Sequence, residues 1–264
     1  MLTTMLITVL ITRATTTTTS TSRTSTADTS MSTDVRAAEA LEASSARELL
    51  SALRLSSPSL PIGAYAYSQG LEQAAAAGLV HDESSALDWI SGLLTHAIAR
   101  FDVPLLLRLY AAWAHGDVGA ARRWARLVIA GRESAELQAE ERQLGQSLFR
   151  LLADTGLAAG GLEHGDATYL GAFALAASSW GMRPRAAALA YAYAWLEHQT
   201  SAAVRIVPLG HAAGQRILSQ CLGRVPGVVA TGEALSDPEI GAFSPGQALS
   251  SALHETQYSR LFRS

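Results

Sequence analysis

Seven histidines, one cysteine and a scatter of adjacent carboxylates are the groups in this 264-residue chain that could do acid–base, nucleophilic or metal chemistry. Their spacing argues against most of it. His81, His96, His115, His164, His198, His211 and His254 form no H-E-x-x-H and no other short ligand pattern. His198 and His211 lie either side of the Pro208 break, too far apart to share one helical face. Surface or capping roles are expected for all seven. Cys221 stands alone, which rules out an internal disulfide and a multi-cysteine metal site; it reads as a small buried apolar residue. Glu140 and Glu141 read as part of a solvated, charged helix face. No catalytic residue and no metal ligand is assigned.

A second absence narrows the chemistry further. The 20 basic residues are all arginine. Without lysine there is no P-loop to hold a triphosphate and no amine for a Schiff base. No G-x-S-x-G nucleophile turn occurs, and Tyr65-Ala66-Tyr67-Ser68-Gln69-Gly70 is not an equivalent.

What remains is recognition chemistry. Trp180, Trp195, Tyr191 and Tyr193 lie in sequence among Arg183, Arg185 and Arg205. Tyrosine, tryptophan and arginine together are the composition of binding hot spots, and equally of core aromatics flanked by solvated arginines. Ser134 is placed to cap a helix, but its third helical residue, Leu137, cannot complete a capping box. That leaves Arg132, Glu133 and Glu136 without a local role.

The elements that must position these residues read as helices. Leu49, Leu50 and Leu53 fall at helical spacing within Val35–Leu55. Pro58, Pro61 and Gly63 make Ser56–Gly63 a loop, since each proline removes a donor and restricts its predecessor. Helices are predicted over 68–77, 82–100, 105–115, 117–130, 134–152, 167–179, 185–207 and on to about Leu222. Pro104 is expected to reset the chain between two of them. Residues 155–165 read as a glycine-rich linker. Leu137, Leu144, Leu148 and Leu151 are read as one apolar stripe. No strand alternation and no βαβ rhythm appears, so the class is all-α: a single compact multi-helix domain with a short extended C-terminal tail.

Composition agrees. Hydrophobic residues make up 48% and charged residues 16%, below the roughly 25% of an average domain. A net charge of −3 with no basic helix argues against nucleic acid. Residues 1–33 are expected to be a disordered Thr/Ser-rich extension, dispensable or upstream of a true start at Met31. The apolar run 1–11 is too short to span a bilayer. Residues 34–224 are expected to form the helical domain, and 225–264 a segment that docks on a partner or folds back on its own domain.

Four motifs, in order, resemble one family. Leu55–Glu72 (LSSPSLPIGAYAYSQGLE) is similar to the opening of the urease accessory protein UreF family. Arg132–Leu137 (RESAEL) resembles its central motif, Ala203–His211 with Gly214-Gln215-Arg216 its late helix break, and His254–Ser264 its ending. The resemblance spans about residues 49–264. His211 departs from it, standing where glutamine is expected, and residues 1–33 have no counterpart.

The resemblance implies an all-α homodimer in the cytoplasm that is not an enzyme. It implies a scaffold joining a UreD-like protein to the nickel-carrying GTPase UreG and supporting nickel delivery into apo-urease, with nickel and GTP handled by those partners, and with neither nucleic acid nor membrane involved. On this reading Arg205, with Arg183 and Tyr191, is the GTPase-facing patch. Tyr258, Arg260, Leu261, Phe262 and Arg263 form the UreD-docking tail. Pro58, Pro61, Gly63, Tyr65 and Tyr67 shape a rigid loop. A helical enzyme with a pocket under the Tyr65–Tyr67 loop, and a helical adaptor unrelated to urease, are the competing classes.

Overall fold

The computed structural model describes residues 28–157 and 164–264. The chain divides into two units, Met1–Ala43 and Ser44–Ser264. The described part of the first is helical from Asp28, inside the stretch expected to be disordered. Residues 1–27 of that expectation, and most of the 155–165 linker, lie outside the described residues.

Eleven α-helices occur among the described residues and no strand: α1 (Asp28–Leu55), α2 (Leu71–Ala76), α3 (Glu83–Leu93), α4 (Val103–Ala114), α5 (Val118–Ala130), α6 (Ala135–Asp154), α7 (Tyr169–Ser179), α8 (Pro184–Ile206), α9 (His211–Leu222), α10 (Val225–Ala234) and α11 (Pro245–His254). The all-α expectation holds. The start signals are chemical. Asp82 accepts from the Ser85 amide in a capping box, Asp117 from Ala120, and Thr168 from Gly171.

Pro104 does not reset the chain. Helix runs on from Glu83 to Ala114 through a π-helical stretch, Leu94–Asp102. The reason is local. Pro104 cannot donate to the Arg100 carbonyl four residues back. The Gly241 amide donates to that carbonyl instead, at 3.1 Å. The widened turn is thus satisfied from outside the helix. This 32-residue run is long and apolar enough to cross a membrane by length and composition alone; its most apolar window is 72% buried in the fold.

Helix α7 is the centre of the second unit. Leu170 to Ala177 are all buried, with α4 and α6 packed along it. Phe173, Tyr169 and Tyr191 form an aromatic cluster, with Phe173 and Tyr191 edge to face at 5.5 Å. Gly145 lets α6 approach closely: a Cβ there would fall 2.4 Å from the Thr168 carbonyl carbon. Helix α8 packs on α9 and α10, and α11 packs on α2 and α6. Residues 225–264 therefore contain two packed helices before their irregular last ten residues.

Candidate functional site

The site is built where the loop after α1, the end of α8 and residues 255–264 meet. Gly63 takes φ +80° to turn the chain into a short 3₁₀ segment, Ala64–Ala66. Gln69 and Gly70, at φ +57° and +84°, turn it again into α2. Gly70 also needs its bare Cα, since a Cβ would lie 2.9 Å from the Ser251 amide of α11.

These turns leave backbone groups that the tail satisfies. The Arg263 amide donates to the Ala66 carbonyl at 2.8 Å. The Ser68 amide donates to the Ser264 carbonyl at 2.8 Å, and the Ser68 hydroxyl donates to the same oxygen. From α2, the Glu72 carboxylate accepts both the Leu261 amide at 2.7 Å and the Phe262 amide at 2.8 Å. From α6, Glu136 pairs with Arg260 at 2.7 Å. The tail is not extended away from the domain; it folds back onto it. Phe262 and Ser264 are buried, while Tyr258 and Leu261 face outward.

Arg205 closes the junction. Its guanidinium lies 4.6 Å from the Phe262 ring centroid and donates to the Tyr65 carbonyl at 3.0 Å. One arginine thus touches the loop and the tail together. Tyr65 is exposed, whereas Tyr67 is buried and donates to Gln143 at 2.5 Å. Burial pushes the Tyr67 phenol up, against a lowering by Arg263.

Other expected members of the patch lie elsewhere. Tyr191 is 3% exposed and donates to Asp102 at 2.8 Å, inside the core. Its burial leaves no surface for a partner. Arg183 is the N-cap of α8, and Arg205 sits in its last turn. At about 1.5 Å per residue, the two are roughly 33 Å apart along the helix. Arg183 instead holds Glu48 of α1 through a fork of bonds at 2.5 and 3.0 Å. Arg183, Tyr191 and Arg205 do not form one patch; Arg205 joins the loop and tail.

Beneath this junction lies an ionic core that the sequence did not reveal. Arg132 donates to Asp102 at 2.8 Å and to Glu141 at 2.7 and 3.1 Å. Burial opposes its charge, but Asp102 and Glu141 more than reverse that and raise its pKa well above the ordinary value. Glu141 also accepts the Leu170 amide at the start of α7. Glu140 accepts from Gln69 and from the Ser264 hydroxyl, both at 2.8 Å. Burial pushes the Glu140 carboxyl up to about 7. Glu140 and Glu141 are 6% and 5% exposed, so the solvated-face expectation is wrong. They occupy the same helical stripe as Leu137, Leu144 and Leu148, which α7 and the tail cover. Leu151, by contrast, is only partly buried.

The surface-histidine expectation fails for His254, which is fully buried between Glu136 and Glu72. Burial pulls the His198 imidazole down, opposed by a hydrogen bond with the Ala64 backbone. Cys221 is buried, and desolvation raises its thiol. Among the described residues no group of three or more His, Cys, Asp or Glu is placed to hold a metal ion. The cavity under the Tyr65 loop measures about 90 Å³. That is well below the roughly 300 Å³ at which ligand pockets begin.

Comparison with known proteins decides the family. The UreF family model matches residues 80–222. A urease accessory protein UreF of Alkalilimnicola ehrlichii is 47% identical over 213 residues, covering 80% of this chain and 93% of that one. This chain belongs to the UreF family. A UreF of Azoarcus sp. is 46% identical over 224 residues, covering 82% of this chain and 95% of its own. A bifunctional urease accessory protein UreEF of Bordetella bronchiseptica is 44% identical over 228 residues, covering 83% of this chain and 52% of its own. Membership in UreF places the chain among urease maturation factors and removes the unrelated-adaptor reading. The loop, the Arg132 motif and the junction at Arg205 are the motifs that carried the resemblance, now seen packed together around one tail.

Proposed function

We propose that this chain is a non-catalytic scaffold that joins a UreD-like protein to the GTPase UreG and so supports nickel delivery into apo-urease. The observation that carries the proposal is the junction of Arg205, the Tyr65 loop and the tail. It ties the exposed Arg205 to the loop that carries the exposed Tyr65 and, through Phe262, to the tail that carries the exposed Tyr258 and Leu261. Aromatic and arginine side chains held on rigid backbone are what binding hot spots are made of. Tyr258, Arg260, Leu261 and Arg263 are the tail residues for the UreD-like partner, with Phe262 as their anchor. Arg205 is the residue for the GTPase, through hydrogen bonds to its loops. Pro58, Pro61, Gly63, Tyr65 and Tyr67 hold the loop that supports both.

Nickel and GTP belong to the partners on this reading, which the absence of lysine supports for the nucleotide. The name of one relative, UreEF, supports work alongside other urease accessory proteins. We read the chain as a cytoplasmic homodimer that acts without nucleic acid or membrane. The small cavity under the Tyr65 loop speaks against the competing reading of a substrate pocket at that loop. The test is urease activity in a host carrying the urease structural and accessory genes. Activity that depends on this chain, with no turnover by the purified chain alone, supports the scaffold. Full activity without the chain contradicts it.

A further inference from the structure

We propose that His254 is a proton-dependent latch for residues 255–264: its imidazolium ties Glu72 and Glu136 together beneath the tail, and loss of one proton unties one of them. His254 is fully buried at the end of α11. Its Nδ1 lies 2.7 Å from a Glu136 oxygen and its Nε2 lies 3.2 Å from a Glu72 oxygen. An ionised carboxylate only accepts hydrogen bonds, so both contacts need an N–H. A neutral imidazole has one N–H, and its other nitrogen would set a lone pair against a buried carboxylate. Only the imidazolium makes both bonds.

The same two carboxylates hold the tail. Glu72 accepts the Leu261 and Phe262 amides, and Glu136 holds Arg260. Protonated His254 and Arg260 balance Glu72 and Glu136; neutral His254 leaves one negative charge over, in a site with little water to screen it. The other charged groups around it are known. On α6, Glu140 accepts from Ser264. On the tail side, Glu255 accepts the Ala135 amide and Arg263 sits against Tyr67. Glu140, held near 7 by burial, gains its charge as pH rises and adds a second uncompensated negative charge beside Ser264. The tail is therefore seated at lower pH and loosens as pH rises. Any effect on docking rests on the scaffold reading above; the latch itself does not.

Amide exchange on the full chain, alone in solution, tests the latch without any partner. After correction for intrinsic exchange, raising the pH from about 6 to about 8.5 lowers protection at Leu261, Phe262 and Arg263 at least about tenfold, while α7 keeps its protection. His254→Gln leaves these amides unprotected at both pH values, and Glu140→Gln keeps the step. Imidazole ¹⁵N shifts of the unsubstituted chain, needing no variant, show both ring nitrogens protonated while the tail is seated. Absence of the step, its persistence in H254Q, its loss in E140Q, or a neutral His254 under a seated tail would each overturn the latch.

Discussion

The guanidinium of Arg205 stacks on the ring of Phe262, 4.6 Å from its centroid, and so fastens the last turn of α8 to a tail 57 residues further along the chain. The same guanidinium holds the Tyr65 carbonyl 140 residues earlier. A single side chain therefore joins three segments that the sequence presents as separate surfaces.

Arg205→Ala is expected to leave the fold intact and to lower urease activation. The substitution removes one cation–π pair between an exposed guanidinium and a buried ring, about 1 kcal/mol, and one hydrogen bond, about 1 kcal/mol. Chemical unfolding of the variant checks the first point and urease activity in co-expressing cells the second. Normal activation with normal complex assembly would show that the arginine has no part in docking.

Arg132→Met is expected to be far more damaging to stability. It strands Asp102 and Glu141 as buried charges, a change that costs about 3–5 kcal/mol. The triple variant that also carries Asp102→Asn and Glu141→Gln recovers most of the loss, because no charge is left uncompensated. A loss under about 1 kcal/mol for the single variant in urea unfolding would mean that water reaches this site.

Glu140 sets a pH dependence with a definite sign. Its carboxyl is raised by burial from 4.5 to about 7 in the fold. Folding therefore holds a proton that the unfolded chain releases, and the stability this confers is present below about pH 4.5 and lost as pH rises to about 7. At about 1.4 kcal/mol per unit, the loss is on the order of 3 kcal/mol. Glu140→Gln cannot ionise, so its stability falls less between about pH 5 and pH 8 than that of the unsubstituted chain. Parallel pH profiles from urea unfolding would contradict the assignment.

Two glycines separate packing from backbone entropy. Gly145→Ala would place a methyl 2.4 Å from the Thr168 carbonyl carbon and push α6 off α7, a loss of at least about 2 kcal/mol. Gly92, inside α3 with open space around it, gains up to about 1 kcal/mol as alanine. Thermal unfolding of the pair reads both, and equal shifts would show that close helix approach is not what Gly145 provides.

The helices were legible because caps, prolines and apolar periodicity act locally: Asp82, Asp117 and Ser134 each cap the helix they precede. The π-helical passage at Pro104 was not, because the donor that rescues the Arg100 carbonyl comes from Gly241, far along the chain. Glu140 and Glu141 look like surface by their charge, although their spacing is informative. They lie three and four residues after Leu137 and so share its buried face; here period outweighs charge. His254 gave no sequence signal, since its two carboxylates arrive from α2 and α6. The tail's composition pointed to burial or docking, and its side chains divide accordingly: Phe262 turns in, Tyr258 and Leu261 turn out.

On the proposed scaffold function, the seated tail and its junction form a dock for two partners. The most direct measurement is a pull-down of the co-expressed chain with UreD-like and UreG-like proteins, comparing the intact chain with a Tyr258→Ala, Leu261→Asp double variant. Both residues are exposed, so the fold is retained. The intact chain is expected to retain both partners, and the double variant to lose the UreD-like one. Retention of both partners by the double variant, or of neither by the intact chain, would contradict that function.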